Sequence, residues 1–227
     1  MTIARWFTAF GALALTCASL GLAGCGLVAG PVDAGRIGRA ESEAMPLEQQ
    51  FDLMRQRYER MQELLADTQV AVAPAEREWI WISPGLFPDA GTFAPRALGG
   101  ATAKNSYYLE LVRATHEPGA SGRAVDLKPG ERFFAANEWP YASSGAGSSA
   151  AVARATTPDD YLVEYEVQPN GQVNVAVYGG PFWGDTDGLF RAAYGRMPDS
   201  SLSPGSSRPG EYAPYPKWDD AYVDPGF

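Results

Sequence analysis

Leu47, Phe51, Met54, Tyr58, Met61 and Leu65 recur at spacings of 4, 3, 4, 3 and 4, and Glu, Gln, Asp and Arg dominate the positions between them. One apolar stripe with a polar remainder is the signature of an amphipathic helix, expected over about 46 to 67. Pro46 suits its first turn, and Glu48 favours the positive end of its dipole. The stripe lasts under three heptads, so docking on a sheet of the same chain is the expected use; a partner helix is the alternative.

Further on the period drops to two. EWIWIS, 78 to 83, carries Trp79 and Trp81 on one face and Ile80 and Ile82 on the other, which predicts a central strand covered on both sides. A loop rich in Gly, Ala and Pro follows to about 104. SYYLELVRA, 106 to 114, is a second strand, and RFFAA, 132 to 136, a weaker third. The clearest β pattern is DYLVEYEV-QPNG-QVNVAVYGG. Tyr161, Val163, Tyr165 and Val167 share one face; Leu162, Glu164 and Glu166 share the other; Asn170-Gly171 is a hairpin turn pair. A short helix is expected from about 187. The fold class is therefore α+β, an amphipathic N-terminal helix on an antiparallel sheet. One domain, 46 to 197, is followed by an irregular Pro/Gly/Ser-rich tail, 198 to 227, whose tyrosines and tryptophan can lay it along the body.

The first 24 residues are of another kind. Arg5 is the only charge before Asp33, and Trp6 to Ala23 is uncharged. A positive start, an apolar run and then small residues form a secretory signal. The small residues run through LAGC, 22 to 25, into Cys25. This resembles the lipobox of bacterial lipoproteins, in which the cysteine is acylated and the signal removed before it. The resemblance implies an exported protein held on the cell membrane by lipid at Cys25, facing away from the cytoplasm. An uncleaved transmembrane anchor is the alternative, at the lower edge of spanning length. Residues 25 to 45 read as a flexible tether with a reach of about 25 Å. In the order of helix, WIWI strand and late hairpin, residues 45 to 180 loosely resemble the small secreted lipoproteins of actinobacteria, including the mycobacterial LppA-like group. Members of that group often carry a cysteine pair in the body; this chain has none there.

Charge narrows the partners. Without Arg5 the 18 basic residues become 17, against 27 acidic, so the net charge moves from −9 to −10. An acidic chain without a basic cluster is a poor nucleic-acid binder, and no nucleic-acid partner is expected. Membrane lipid, through acylated Cys25, is the expected partner, with an envelope protein or a small ligand beside it.

Motifs for chemistry are few. His116 is the only histidine and stands in ATHEPGASG, outside any HExxH spacing. Asp185-Thr-Asp187-Gly188 resembles half of a calcium loop, but its twelfth position is Arg196, so a turn and helix cap is expected instead. Glu164 and Glu166 could pair as glycosidase carboxylates or simply line a wet strand face. No GxSxG elbow and no phosphate loop is present. Neither a cofactor nor a metal is expected. YGGPFWGD, 178 to 185, leaves a strand and presents Phe182 and Trp183, either as a recognition surface or with Trp183 folded back over the sheet. Trp139-Pro140-Tyr141 is a lesser candidate of the same kind. The expected role is a non-enzymatic binding or interaction module of the envelope. The alternatives are an accessory subunit that docks by the helix stripe, or an enzyme of unrecognised type.

Overall fold

The computed structural model describes residues 31–145, 149–198, 201 and 205–226. The 4-3-4 stripe becomes a helix, α2 (Leu47–Val72), preceded by a short α1 (Arg39–Ala44). Phe51, Met54, Tyr58 and Met61 are fully buried, and Leu65 is nearly so. The helix outlasts its expected end near 67 because Thr68 and Gln69 are buried too. It stops where Pro74 forces Ala73 into an extended conformation.

Beneath α2 lies one antiparallel sheet of eight strands, β1 (Trp79–Ser83), β2 (Asp89–Ala90), β3 (Ser106–His116), β4 (Tyr141–Ser144), β5 (Ala151–Thr156), β6 (Leu162–Val167), β7 (Gln172–Trp183) and β8 (Ser206–Ser207). Their order is β4-β5-β6-β7-β3-β1-β8, with β2 added to β3. The α+β architecture follows directly: Val163, Tyr165 and Val167 of β6 and Val173, Val175 and Val177 of β7 are all buried beneath the helix layer. The Asn170-Gly171 turn closes this hairpin with Gly171 at φ 83°, a conformation that glycine adopts without cost.

Three expectations are corrected. Residues 132 to 136 are not a strand but the end of a helix, α3 (Lys128–Ala136), started by Pro129 and by the Lys128–Glu131 ion pair. The run WIWIS is not central: β1 lies between β3 and the two-residue β8, so Ile80 and Ile82 are 58% and 59% exposed while Trp79 is buried. The chain from Pro31 to Met45 is not free: Val32 bridges Gly38, and Asp33 and Ser42 are buried.

Four strands, β2, β4, β5 and β8, carry no pattern that predicts them. β5 turns Ala151, Ala153 and Ala155 inward, where small side chains leave room for α3. Gly130 of that helix sits so close that an added Cβ would lie 2.6 Å from the Tyr165 ring. The final helix, α4 (Thr186–Tyr194), packs on α2, and the tail then runs back over α2. Tyr215, 5% exposed, lies 5.5 Å from the Phe51 ring and 5.1 Å from Tyr58. Trp218 is stacked beneath the Arg196 guanidinium at 4.3 Å. Arg113 is buried over Trp81, 3.6 Å from its ring, and donates to the carbonyls of Ser83 and Val112. Burial pushes its pKa down to about 10.

Candidate functional site

The richest polar constellation gathers where β7 ends, beside the first turns of α2. There the register pairs Ser106 with Trp183 and Tyr107 with Phe182. The chain entering at Pro31 folds over this end. The Trp183 indole N–H donates to the Pro31 carbonyl at 3.1 Å. The Asp33 carboxylate accepts from the backbone N–H of Ile37 at 2.9 Å and of Trp183 at 3.0 Å. It also lies 3.8 Å from the Arg57 guanidinium. Arg57 in turn donates to the Tyr107 hydroxyl at 2.6 Å and stacks 3.8 Å over the Phe182 ring. Burial raises the Tyr107 pKa, against the opposing pull of Arg57. A buried arginine is tolerable here because a carboxylate, a hydroxyl and an aromatic face all meet it.

Gln50 ties the second layer. Its amide N–H donates to the carbonyls of Met45, at 3.0 Å, and Ser42, and its carbonyl accepts from the Asp185 N–H at 2.9 Å. The Asp185 carboxylate accepts from the Gly188 N–H at 3.0 Å and so caps α4, as the DTDG stretch predicts.

Two clefts flank this knot. The first, of about 370 Å³, lies between α1, the start of α2 and Trp183. Met45, Leu47 and the Trp183 ring give it apolar surface; Arg39, Lys104, Glu43 and Asp185 bring charge of both signs. The second, of about 450 Å³, opens on the other side of Arg57 between Ala34–Ile37 and Pro158–Tyr161, with Phe182 among its walls.

Phe182 and Trp183 are therefore placed differently from an exposed loop. They are the last residues of β7, 2% and 3% exposed, and Trp183 folds back beneath the incoming chain. The structure brings the pair together as walls of neighbouring clefts. Trp139 packs edge-on against Phe133 at 5.4 Å, and Tyr141 begins the edge strand β4, half exposed. His116 ends β3 in solvent, and its carbonyl accepts from Arg77. Glu164 and Glu166 share the outer face of β6 but not a site: Glu164 pairs with Arg154, and Glu166 accepts from Gln168 at 3.0 Å. Arg196 is committed to the carbonyls of Trp218 and Ala192. Among the described residues no group of three or more His, Cys, Asp or Glu side chains could hold a metal ion. Cys25 lies outside the described residues.

Asp33 and Arg57 had no place in the sequence reading. Asp33 sits in a Gly- and Ala-rich stretch without period, and Arg57 is one of several charges flanking a stripe. The one available signal was Pro31-Val32-Asp33-Ala34-Gly35, a composition suited to a tight turn.

No family model, no curated protein and no solved structure matches this chain. Among the described residues no helix is long and apolar enough to cross a membrane.

Proposed function

We propose that the protein is a lipid-anchored envelope protein, acylated at Cys25, whose folded body binds a ligand or partner without chemical turnover. The uncharged run from Trp6 to Ala23 ending in LAGC supports the anchor. The observation that carries the binding role is the cleft at Trp183. Its volume suits a small molecule, and it combines apolar surface with convergent charge of both signs. One of its walls is α1, part of the same segment that leads back toward Cys25. A small ligand bearing both charges, or a short peptide segment, fits that lining. The accessory-subunit reading loses its contact surface, since the α2 stripe is buried inside the fold.

The test uses protein recovered from its native membranes after crosslinking in intact cells, with Cys25→Ser as the unanchored control. The mass of the amino-terminal peptide reports acylation; an uncleaved, unacylated terminus overturns the anchor. Native mass spectrometry reports a bound small molecule, and peptide identification reports a crosslinked partner. Lys104→Ala, an exposed change at the cleft rim, is expected to reduce occupancy of either. Full occupancy in that variant refutes the cleft as the binding site.

A further inference from the structure

At the Trp183 end of the sheet the loop 91–100, GTFAPRALGG, carries a single charge. That charge is paired. Arg96 turns back to donate to the Asp160 carboxylate at 2.8 Å and to the Thr156 hydroxyl at 2.8 Å. Apart from Thr92, the exposed side chains are apolar: Phe93 is 77% exposed, and Pro95 and Ala97 are exposed beside it. A phenylalanine so exposed, on a loop with its one charge paired, stands out on a chain of net charge −9.

The loop lies where the chain enters the fold. Gly91 abuts Ser106, the register partner of Trp183, and Gly99 lies beside Pro31. Val32, 49% exposed, borders the cleft shared with Arg96 and Leu98. Only residues 26 to 30 separate Pro31 from Cys25, so Pro31 stands within about 20 Å of Cys25 along even a fully extended chain. At the same end Arg36 and Lys104 are exposed cations without an ion-pair partner among the described residues. The Asp160 carboxylate, which touches the loop, is paired with Arg96.

We infer that the loop 91–100 is a membrane-contacting surface that seats the body on a phospholipid bilayer, with Phe93 entering the interface and Arg36 and Lys104 facing lipid phosphates. The inference rests on the proposed anchoring at Cys25. A phenylalanine ring gains by leaving water for the acyl boundary just beneath the headgroups. Exposed cations at the seated end offset part of the repulsion between an acidic body and an anionic leaflet.

The test supplies the tether chemically, so it does not depend on acylation in cells. The chain from Cys25 onward is coupled through its one thiol to maleimide-bearing lipid in phosphatidylglycerol–phosphatidylcholine vesicles. Hydrogen exchange is compared with the thiol-capped chain free in solution. Amides of 91–100 are expected to slow about threefold or more on vesicles, while those of 80–83, at the far end of the sheet, stay unchanged. Phe93→Asp, an exposed change that leaves the core intact, is expected to abolish the slowing. Unchanged exchange at 91–100, or slowing at 80–83 instead, overturns the inference. Equal slowing in the free chain at matched concentration also overturns it, because a second copy then covers the loop. Absence of acylation in native cells, with slowing retained on coupled vesicles, counts against the anchor alone.

Discussion

Replacing Asp33 with Ala removes the acceptor for two backbone N–H groups, those of Ile37 and Trp183, and the carboxylate beside Arg57. The Asp33 side chain is wholly buried, so water does not replace it without rearrangement. One orphaned buried donor costs about 1–3 kcal/mol. Removing one member of a buried ion pair costs about 3–5 kcal/mol. These do not add in full. The Arg57–Asp33 contact is long at 3.8 Å, and Arg57 keeps the Tyr107 hydroxyl and the Phe182 ring. The expected loss is therefore about 3 kcal/mol, a large share of the roughly 5–15 kcal/mol that stabilises an ordinary domain. Asp33→Asn keeps one carbonyl acceptor and is expected to lose about half as much. Urea unfolding followed by tryptophan fluorescence measures the global loss. Hydrogen exchange over residues 33 to 44 shows whether the entering segment detaches first. A loss below about 0.5 kcal/mol, with exchange over that segment as slow as in the parent, would falsify the claim that Asp33 fastens it to the body.

Other predictions follow from the core and the outer sheet face. Tyr58→Ser empties a fully buried position under the tail and Met61→Ser one against β7, and each is expected to cost about 2–5 kcal/mol; a double variant that unfolds at the parent's urea midpoint means the stripe is not core. Gly130→Ala gains helix propensity but drives a Cβ to 2.6 Å from the Tyr165 ring, an overpacking cost of about 1–3 kcal/mol, so its melting temperature is expected to fall rather than rise. Glu110 lies on the outer face beside Tyr178, and burial holds its pKa above the usual carboxylate range. The folded state then binds more protons than the unfolded one. This contribution is complete below the unfolded pKa and is lost as pH rises through the folded pKa. Glu110→Gln is therefore expected to be more stable than the parent at pH 7, and denaturant midpoints that converge as pH falls toward 4 check the sign.

What could be read from the sequence was whatever had an apolar period. The α2 stripe and the 161–177 hairpin announce themselves because burial on one face leaves a rhythm of 3.6 or 2 in the chain. β5 hides because its inward residues are alanines, which pack by being small and carry little apolar contrast. β1 misleads because both its faces are apolar although only Trp79 is deeply covered; no local pattern reports where a strand falls in the sheet order. The site is the least legible part. Phe182 and Trp183 were visible as aromatics at a strand end, but their burial depends on Pro31 and Asp33, about 150 residues away in sequence. Asp33 has no period and no motif, and only the folded chain shows that its carboxylate meets the Trp183 backbone N–H and Arg57.

The point at which the chain joins the body sets a ceiling on height. β7 runs 12 residues from Gln172 to Trp183, about 40 Å of strand, with the entering segment at its Trp183 end. Under the proposed anchoring, about 20 Å of free chain lifts that end at most, so Ile80 and His116 stand no more than about 60 Å above the lipid. Seated on the loop 91–100, the same residues stand at about 40 Å. With that anchoring, anything this protein meets must come down into that layer. Lengthening the stretch before Pro31 would raise the ceiling without altering a single contact in the fold.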